Sequence, residues 1–240
     1  FFILIFTFSI TVAQTMSSSN YSIQSDSLNF GGGYSSSTSY LMEDTLGEIA
    51  TGISSSTNYA DLAGYQQMHA TVLSIVPAGN VTMSPNIGGL SGGTANGSTA
   101  FTVMTDNPAG YSATITASSS PALKISSDSF ADYVPAGAVP DYSFSNAAVA
   151  SSFAFSPEGN DVATRFKNNA SSVCGTGSLD TADACWDGLS TSATTVVSRT
   201  SANHPSGTVT TLKFRAASGS SHIQTEGIYS ATTTVTVVAL

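Results

Sequence analysis

The sequence FTVMTDNPAGYSATITAS, at residues 101–118, alternates apolar and polar residues on both sides of a turn signal. Alternation with a period of two, in a segment rich in Val, Ile, Phe and Thr, is typical of half-buried β-strands. Pro108 fixes its own φ and Gly110 accepts a positive φ, which are the conformations that tight turns use. We therefore predict two strands here, joined as a β-hairpin.

The same pattern recurs from residue 71 to the end of the chain. We predict strands at 71–76, 80–84, 98–105, 111–118, 122–126, 151–156, 193–200, 208–217 and 229–239. Turn sequences such as SPNIGG and NHPSG separate them, and no stretch combines a helical period with helix caps. Many short strands with Gly, Pro and Asn turns predict an all-β domain over 71–240, either an antiparallel sandwich or a barrel.

Two details refine this prediction. Gly227 and Tyr229 precede the last strand with the spacing of a tyrosine corner, which favours an antiparallel immunoglobulin-like β-sandwich. Residues 127–192 have fewer strand signals, and we interpret them as a long insertion between sandwich strands.

The composition narrows the possible functions. Only 9% of the 240 residues are charged, against about 25% in an average globular protein. Six basic residues are scattered among 15 acidic ones, giving a formal net charge of -9. Because phosphate neutralisation needs clustered positive charge, we expect neither nucleic-acid binding nor attraction to an anionic membrane surface.

The first residues, FFILIFTFSITVAQ, form a short apolar run that ends in small residues near Ala13. The run is too short for a transmembrane helix, which needs about 20 residues. We interpret residues 1–13 as a secretory signal peptide, so that the mature chain is extracellular or on the cell surface without a membrane span. The alternative is a short anchor or a buried strand.

The predicted export of the chain bears on the interpretation of its two cysteines. Cys174 and Cys185 are an even pair in a chain predicted to be secreted, which indicates a structural disulfide. The rival interpretations are a metal site or a redox pair. A redox CxxC motif has two intervening residues, and no further Cys or His lies close enough in the sequence to complete a zinc site.

Residues 14–70 are rich in Tyr, Ser and Gly and repeat with a period of 19 residues. SSSTSY at 35–40 returns as SSSTNY at 54–59, and Tyr21, Tyr40 and Tyr59 keep the same interval. Each unit reads as a short strand, a Gly break and a Ser/Thr stretch. Because short repeats are stabilised by packing on neighbours, we expect the segment to lie on the main domain, to pair with another subunit, or to stay flexible. The alternative is a Ser-rich low-complexity stalk.

No nucleophile, general base or phosphate-binding motif is recognisable, so we predict no enzymatic activity, no catalytic residue and no organic cofactor. The loop acids could hold calcium, which prefers several oxygen ligands, or they could simply be solvated. The sole tryptophan, Trp186, either packs beside the disulfide or is exposed to contact a sugar or a protein partner. The calcium candidates are Glu158, Asp161, Asp180, Asp183 and Asp187.

The repeat NYSIQSDSLNFGG…SSSTSYLMEDTLGEIATG…SSSTNYADLAGYQ, followed by TDNPAGYSATITAS, resembles exported bacterial surface proteins that join such a repeat to an immunoglobulin-like β-domain. More loosely, the Thr-rich strands are similar to fibre-forming β-sandwich subunits, in which an N-terminal strand completes a neighbour's sheet. We therefore expect a secreted structural or interaction protein that self-associates by β-strand addition. The alternative is an adhesin-like module that binds glycans or surface proteins.

Overall fold

The fold is known from a computed structural model, which describes residues 71–240 continuously. Before residue 71 it describes only residues 16–17, 22–23, 31–37, 41–46, 52–55 and 60–63. The predicted signal peptide and most of the repeat therefore lie outside the described residues. The chain divides into two units, at Phe1–Ala70 and Thr71–Leu240.

The described parts of the first unit are three antiparallel strand pairs. β1 (Met16–Ser17) pairs with β2 (Ser22–Ile23), β3 (Gly31–Ser36) with β4 (Leu41–Leu46), and β5 (Gly52–Ser55) with β6 (Ala60–Ala63). Each pair closes the same way, with four residues between its innermost partners.

These three pairs follow one another at the interval of the sequence repeat. The innermost partners are Ser17 and Ser22 in the first pair, Ser36 and Leu41 in the second, and Ser55 and Ala60 in the third. Each therefore lies 19 residues after its predecessor. The expected glycine break is wrong, because Gly33 and Gly52 lie inside β3 and β5.

Two facing sheets form the second unit. The larger sheet has the order β10-β11-β14-β8-β7, with β12 also pairing with β11. Its strands are β7 (Leu73–Val76), β8 (Gly93–Thr105), β10 (Ala131–Asp132), β11 (Ser151–Glu158), β12 (Asp187–Gly188) and β14 (Thr208–Ser218). β10 and β11 run parallel, so this sheet is mixed rather than purely antiparallel as predicted.

The smaller sheet has the order β13-β9-β15 and is antiparallel throughout. Its strands are β9 (Tyr111–Ala117), β13 (Thr194–Arg199) and β15 (Thr233–Ala239). The only helical element in the described residues is one turn of 3-10 helix at Thr164–Phe166. The all-β prediction is thus confirmed at the level of secondary structure.

The predicted hairpin at 101–118 is wrong, although both of its strands exist. β8 lies between β14 and β7 in the larger sheet, whereas β9 lies between β13 and β15 in the smaller one. Both strands turn their apolar residues toward the same core, so Phe101 and Val103 face Ile115 across it. The loop 106–110 therefore connects the two sheets, and the main-chain groups of each strand bond to other partners.

Sequence alternation located most strands and missed where some of them end. The segments predicted at 80–84 and 122–126 form only isolated bridges, one at Ser84 and two at Lys124. Residues 127–192 are more than an insertion, because they contain β11, a full member of the larger sheet. The Tyr229 hydroxyl donates to the carbonyl of Thr225, four residues earlier in the chain, at 2.9 Å.

The outer face of the larger sheet carries a second, smaller cluster. Tyr133, Ala154 and Trp186 are buried there, and Phe144 packs against them. This cover explains why β11 is buried on both faces.

Candidate functional site

The acids that the sequence offered as calcium ligands are each bonded to other groups of the protein. Asp187 pairs with Arg165 at 2.6 Å, and Asp161 pairs with Arg199 at 2.9 Å. Asp180 accepts a bond from the Gly159 amide, and burial raises its pKa. Each of these three carboxylates is therefore bonded to a different part of the protein. No group of three or more metal-ligating side chains exists among the described residues.

Glu158 and Asp183 both form an ion pair with the same lysine, Lys213. Lys213 Nζ lies 3.1 Å from a carboxylate oxygen of each. Burial acts to lower the pKa of Lys213, but the two hydrogen-bonded carboxylates outweigh it and raise that pKa. Since Asp183 is more than half exposed, this cluster contributes little to stability.

Trp186 is buried, with 1% of its surface exposed. Its indole Nε1 donates to the carbonyl of Asp183 at 3.0 Å, and the guanidinium of Arg215 lies 4.3 Å from the ring centroid. Arg215 is held in turn by Asn96. Of the two alternatives for Trp186, the ring is packed rather than exposed for ligand contact, and it packs with Tyr133 and Ala154 in the smaller cluster rather than in the core cluster that contains the disulfide.

The predicted disulfide is present. Cys174 and Cys185 are bonded with a Cα–Cα distance of 5.7 Å, and both residues are buried. The bond ties the segment before Trp186 to the loop after the 3-10 turn, next to the main core.

The free edge of β15 is the first part of a different candidate site. Leu240 N donates to Gly110 O, and Ser118 N donates to Thr232 O, so the even-numbered residues of β15 make the main-chain bonds to β9. The amide and carbonyl groups of the odd-numbered residues consequently point away from β9. Those residues are Thr233, Val235, Val237 and Ala239.

This edge is unguarded, whereas the opposite edge of the same sheet is covered. Along β13, Ala163 N donates to Val196 O and Ser198 N donates to Asp161 O, both at 2.9 Å. In the larger sheet, β10 and β12 cover the outer side of β11 as two-residue strands. Within 71–240, no strand pairs with the outer edge of β15 or of β7, and neither strand contains a charged residue or a proline. Lysines and prolines are the usual protection of such edges.

An apolar groove of about 1440 Å³ lies between these two edges. Residues 77–90 and 224–235 line its sides, and Phe101, Phe153 and Phe214 contribute to its lining from the core. Apolar residues at the rim are strongly exposed, with Leu90 at 79% and Ile228 at 93%. Such exposure around a groove makes it a candidate interaction site. The volume exceeds the 300–1,000 Å³ typical of small-molecule pockets, which favours a peptide segment.

Asp128 fixes the position of one side of the groove. Its Oδ2 accepts hydrogen bonds from Gln224 Nε2, Thr225 N and Tyr229 Oη, at 2.8, 2.9 and 2.9 Å. The bond from the Thr225 amide is the main reason that the pKa of Asp128 falls to about 2. The Gln224 amide donates to Gly89 O and joins the two sides of the groove.

Gln224 also leaves one acceptor unused. The residue is 6% exposed and lines the groove, yet its Oε1 has no hydrogen-bond partner among the described residues. A buried acceptor of this kind costs free energy unless it is paired. It is therefore a natural partner for an N–H group that enters the groove.

Sequence reasoning missed this site because it depends on which strands become edges. The alternation in β15 predicted a strand but carried no signal about its neighbours. The lack of charge in the last predicted strand, 229–239, was not a specific sign, because the predicted strands at 98–105 and 111–118 contain no charged residue either.

Comparisons with known proteins place no constraint on the site. No protein-family model, curated protein or solved structure matches this chain. Among the described residues, no helix has the length and apolar character needed to cross a membrane.

Proposed function

We propose that this is an exported structural protein that self-associates by adding a β-strand to the open side of its sandwich. The acceptor is the free edge of β15, with the adjoining groove receiving apolar side chains. In this mode main-chain hydrogen bonds supply affinity, and pockets for alternate side chains supply specificity.

The unguarded edge of β15 is the observation that carries the proposal. Val235 and Val237 turn partly exposed side chains toward the core, while their main-chain N–H and C=O groups face outward. Strand addition would bond those groups and cover the side chains in one step. The opposite edge of the same sheet, at β13, is covered by the chain itself, so the free edge of this sheet is at β15.

Two further features support the finer parts of the proposal. The disulfide between Cys174 and Cys185 fits an oxidising, extracellular location. The tyrosine-corner contact of Tyr229 favours an immunoglobulin-like relationship, because that contact recurs before a late strand of such sandwiches.

Sedimentation velocity over a range of concentrations tests the proposal on the chain from residue 14 onward. We expect concentration-dependent oligomers that Thr233→Pro weakens, because the Thr233 N–H faces the free edge and is not needed inside the domain. Thr236→Lys, which adds a charge at the same edge, should also weaken the oligomers.

Thr114→Lys is the matched control. Thr114 is the register partner of Thr236, but it lies in the central strand β9 and leaves the edge unchanged. A wild-type chain that remains monomeric at hundreds of micromolar, a range where even weak strand pairing is detectable, would refute the proposal.

A further inference from the structure

The proposed function leaves the source of the added strand open, and the inference that follows rests on it. We infer that the donor is the hairpin of β5 and β6 from a second copy of this chain. One strand of that hairpin would extend the β13-β9-β15 sheet beyond β15, and Ile53 and Leu62 would cover the apolar groove.

The acceptor side is suited to an uncharged apolar strand. Glu226 is the only charged residue that lines the groove within the described part of the chain. The open main-chain groups of β15 include those of Val235 and Val237, whose side chains are only partly buried, and a strand partner could bond the former and cover the latter. The unpaired Oε1 of Gln224 offers an additional acceptor for a donor N–H.

The donor side needs such a partner. A two-stranded hairpin is at best marginally stable in water and requires a third strand or a packing surface. In the described residues, β5 and β6 pair only with each other. Among those residues, neither the β5–β6 hairpin nor the outer edge of β15 has a further strand paired with it.

Cross-strand register favours β5–β6 over the preceding hairpin. Ile53 stands opposite Leu62, so two large apolar residues are neighbours. In β3–β4 the large apolar residues instead stand opposite Gly, Ser or Glu, and Glu43 and Asp44 are adjacent. Two adjacent acids would place charge against an apolar groove, which is costly.

Charge also favours a donor from the first unit. Residues 14–70 contain no Lys or Arg, and their acids are Asp26, Glu43, Asp44, Glu48 and Asp61. Beside the groove, Lys124 is exposed and its amide donates to the carbonyl of Ser230. Lys124 has no ion-pair partner among the described residues, and Asp61 of β6 would supply one without placing charge in the groove, because neighbouring residues of a strand alternate in face and Asp61 precedes Leu62.

Disulfide trapping tests the pairing directly. Both native cysteines are bonded to each other, so a single introduced cysteine is the only free thiol. Ser54→Cys and Thr234→Cys chains, each starting at residue 14, are mixed in a glutathione redox buffer and separated on a non-reducing gel. We expect a mixed dimer as the main product, because the proposed pairing of β5 with β15 would bring the two Cα atoms within the roughly 7 Å that a disulfide allows.

The controls separate this inference from the proposed function. Thr191→Cys, at an exposed position in the loop before β13, should give no mixed dimer with Ser54→Cys. If Thr234→Cys instead gives mainly its own homodimer, two β15 edges pair with each other and the donor is wrong, although self-association by strand pairing stands. Intramolecular closure in the Ser54→Cys/Thr234→Cys double variant, without dimers, would overturn donation between copies.

A second measurement does not depend on oxidation. Leu62→Asp should weaken self-association at least about tenfold in sedimentation velocity, since it places a charge in an apolar groove. Leu46→Asp in β4 is the matched substitution and should leave association unchanged. Equal effects of the two variants would overturn the assignment to β5–β6.

Discussion

Replacing Asp128 by Asn removes one charge from the hydrogen-bonded cluster that fixes the side of the groove at 224–229. The wild-type carboxylate accepts three bonds at Oδ2, from Gln224, Thr225 and Tyr229. The amide has the same shape, but its oxygen is a weaker acceptor than a carboxylate. We expect Asp128→Asn to fold and to lower the free energy of unfolding at pH 7.

The size of the effect follows from the pKa. A difference of one in pKa corresponds to about 1.36 kcal/mol, and the pKa of Asp128 falls from 3.8 to about 2. That sets an upper bound of about 2.5 kcal/mol. Because Asp128 is only partly buried, solvent screening reduces the expected loss to about 1 kcal/mol.

The sign of the pH dependence follows from the lowered pKa. A carboxyl group whose pKa is depressed by folding stabilises the native state fully above its unfolded pKa, near 3.8. That contribution disappears as the pH falls toward 2. The wild type should therefore lose its advantage over Asp128→Asn between pH 4 and pH 2.

Urea unfolding followed by circular dichroism, at several pH values from 7 to 2, measures this difference. Glu226→Gln is the control, because Glu226 is exposed, lies two residues from Gln224 and takes part in no hydrogen bond to Asp128. A constant difference between wild type and Asp128→Asn across that pH range would refute the reasoning, as would an equal response from Glu226→Gln.

Three other predictions concern the rest of the domain. Replacing Cys174 and Cys185 together by Ala should lower the free energy of unfolding by about 3 kcal/mol in urea titrations, since a short loop loses its closure. Arg215→Ala should shift the fluorescence of Trp186 to longer wavelength and increase its quenching by acrylamide, whereas Lys213→Ala should not, because only Arg215 covers the ring. Gly110→Ala should lower the free energy of unfolding by about 2 kcal/mol or more, measured by thermal unfolding, because Gly110 has a φ of +84° and an added Cβ would collide with the Arg199 carbonyl. Gly137→Ala is the control and should leave stability nearly unchanged, because nothing lies within 4 Å of an added Cβ there.

The sequence predicted those properties that depend on local pattern. Alternation of apolar residues located β9 and β14 almost to the residue, and cysteine pairing predicted the disulfide. Alternation states which face of a strand is buried, but it does not state which strands are neighbours. The 101–118 segment shows the limit, since a hairpin and a connection between two sheets require the same alternation and the same turn residues.

The candidate site was beyond sequence reasoning for a related reason. The acids drew attention as possible metal ligands, yet basic side chains distant in sequence pair with four of the five, with Arg199 reaching Asp161 across 38 residues. Trp186 drew attention as a single aromatic, yet Arg215 on β14 covers it. Both outcomes depend on long-range contacts, which a motif search along one chain does not contain.

The distribution of charge argues that the opening beside β15 is functional. A single lysine is enough to protect an exposed strand edge, and this fold places Lys213 and Arg215 on the outer face of β14, where neighbouring strands already occupy both edges. β15, which has the longest unpaired edge among the described strands, contains no charged residue. Its exposed positions hold Thr234, Thr236 and Val238, residues that favour pairing with another strand. An edge that only had to remain soluble would be charged, so its composition fits an edge that is covered in the working protein.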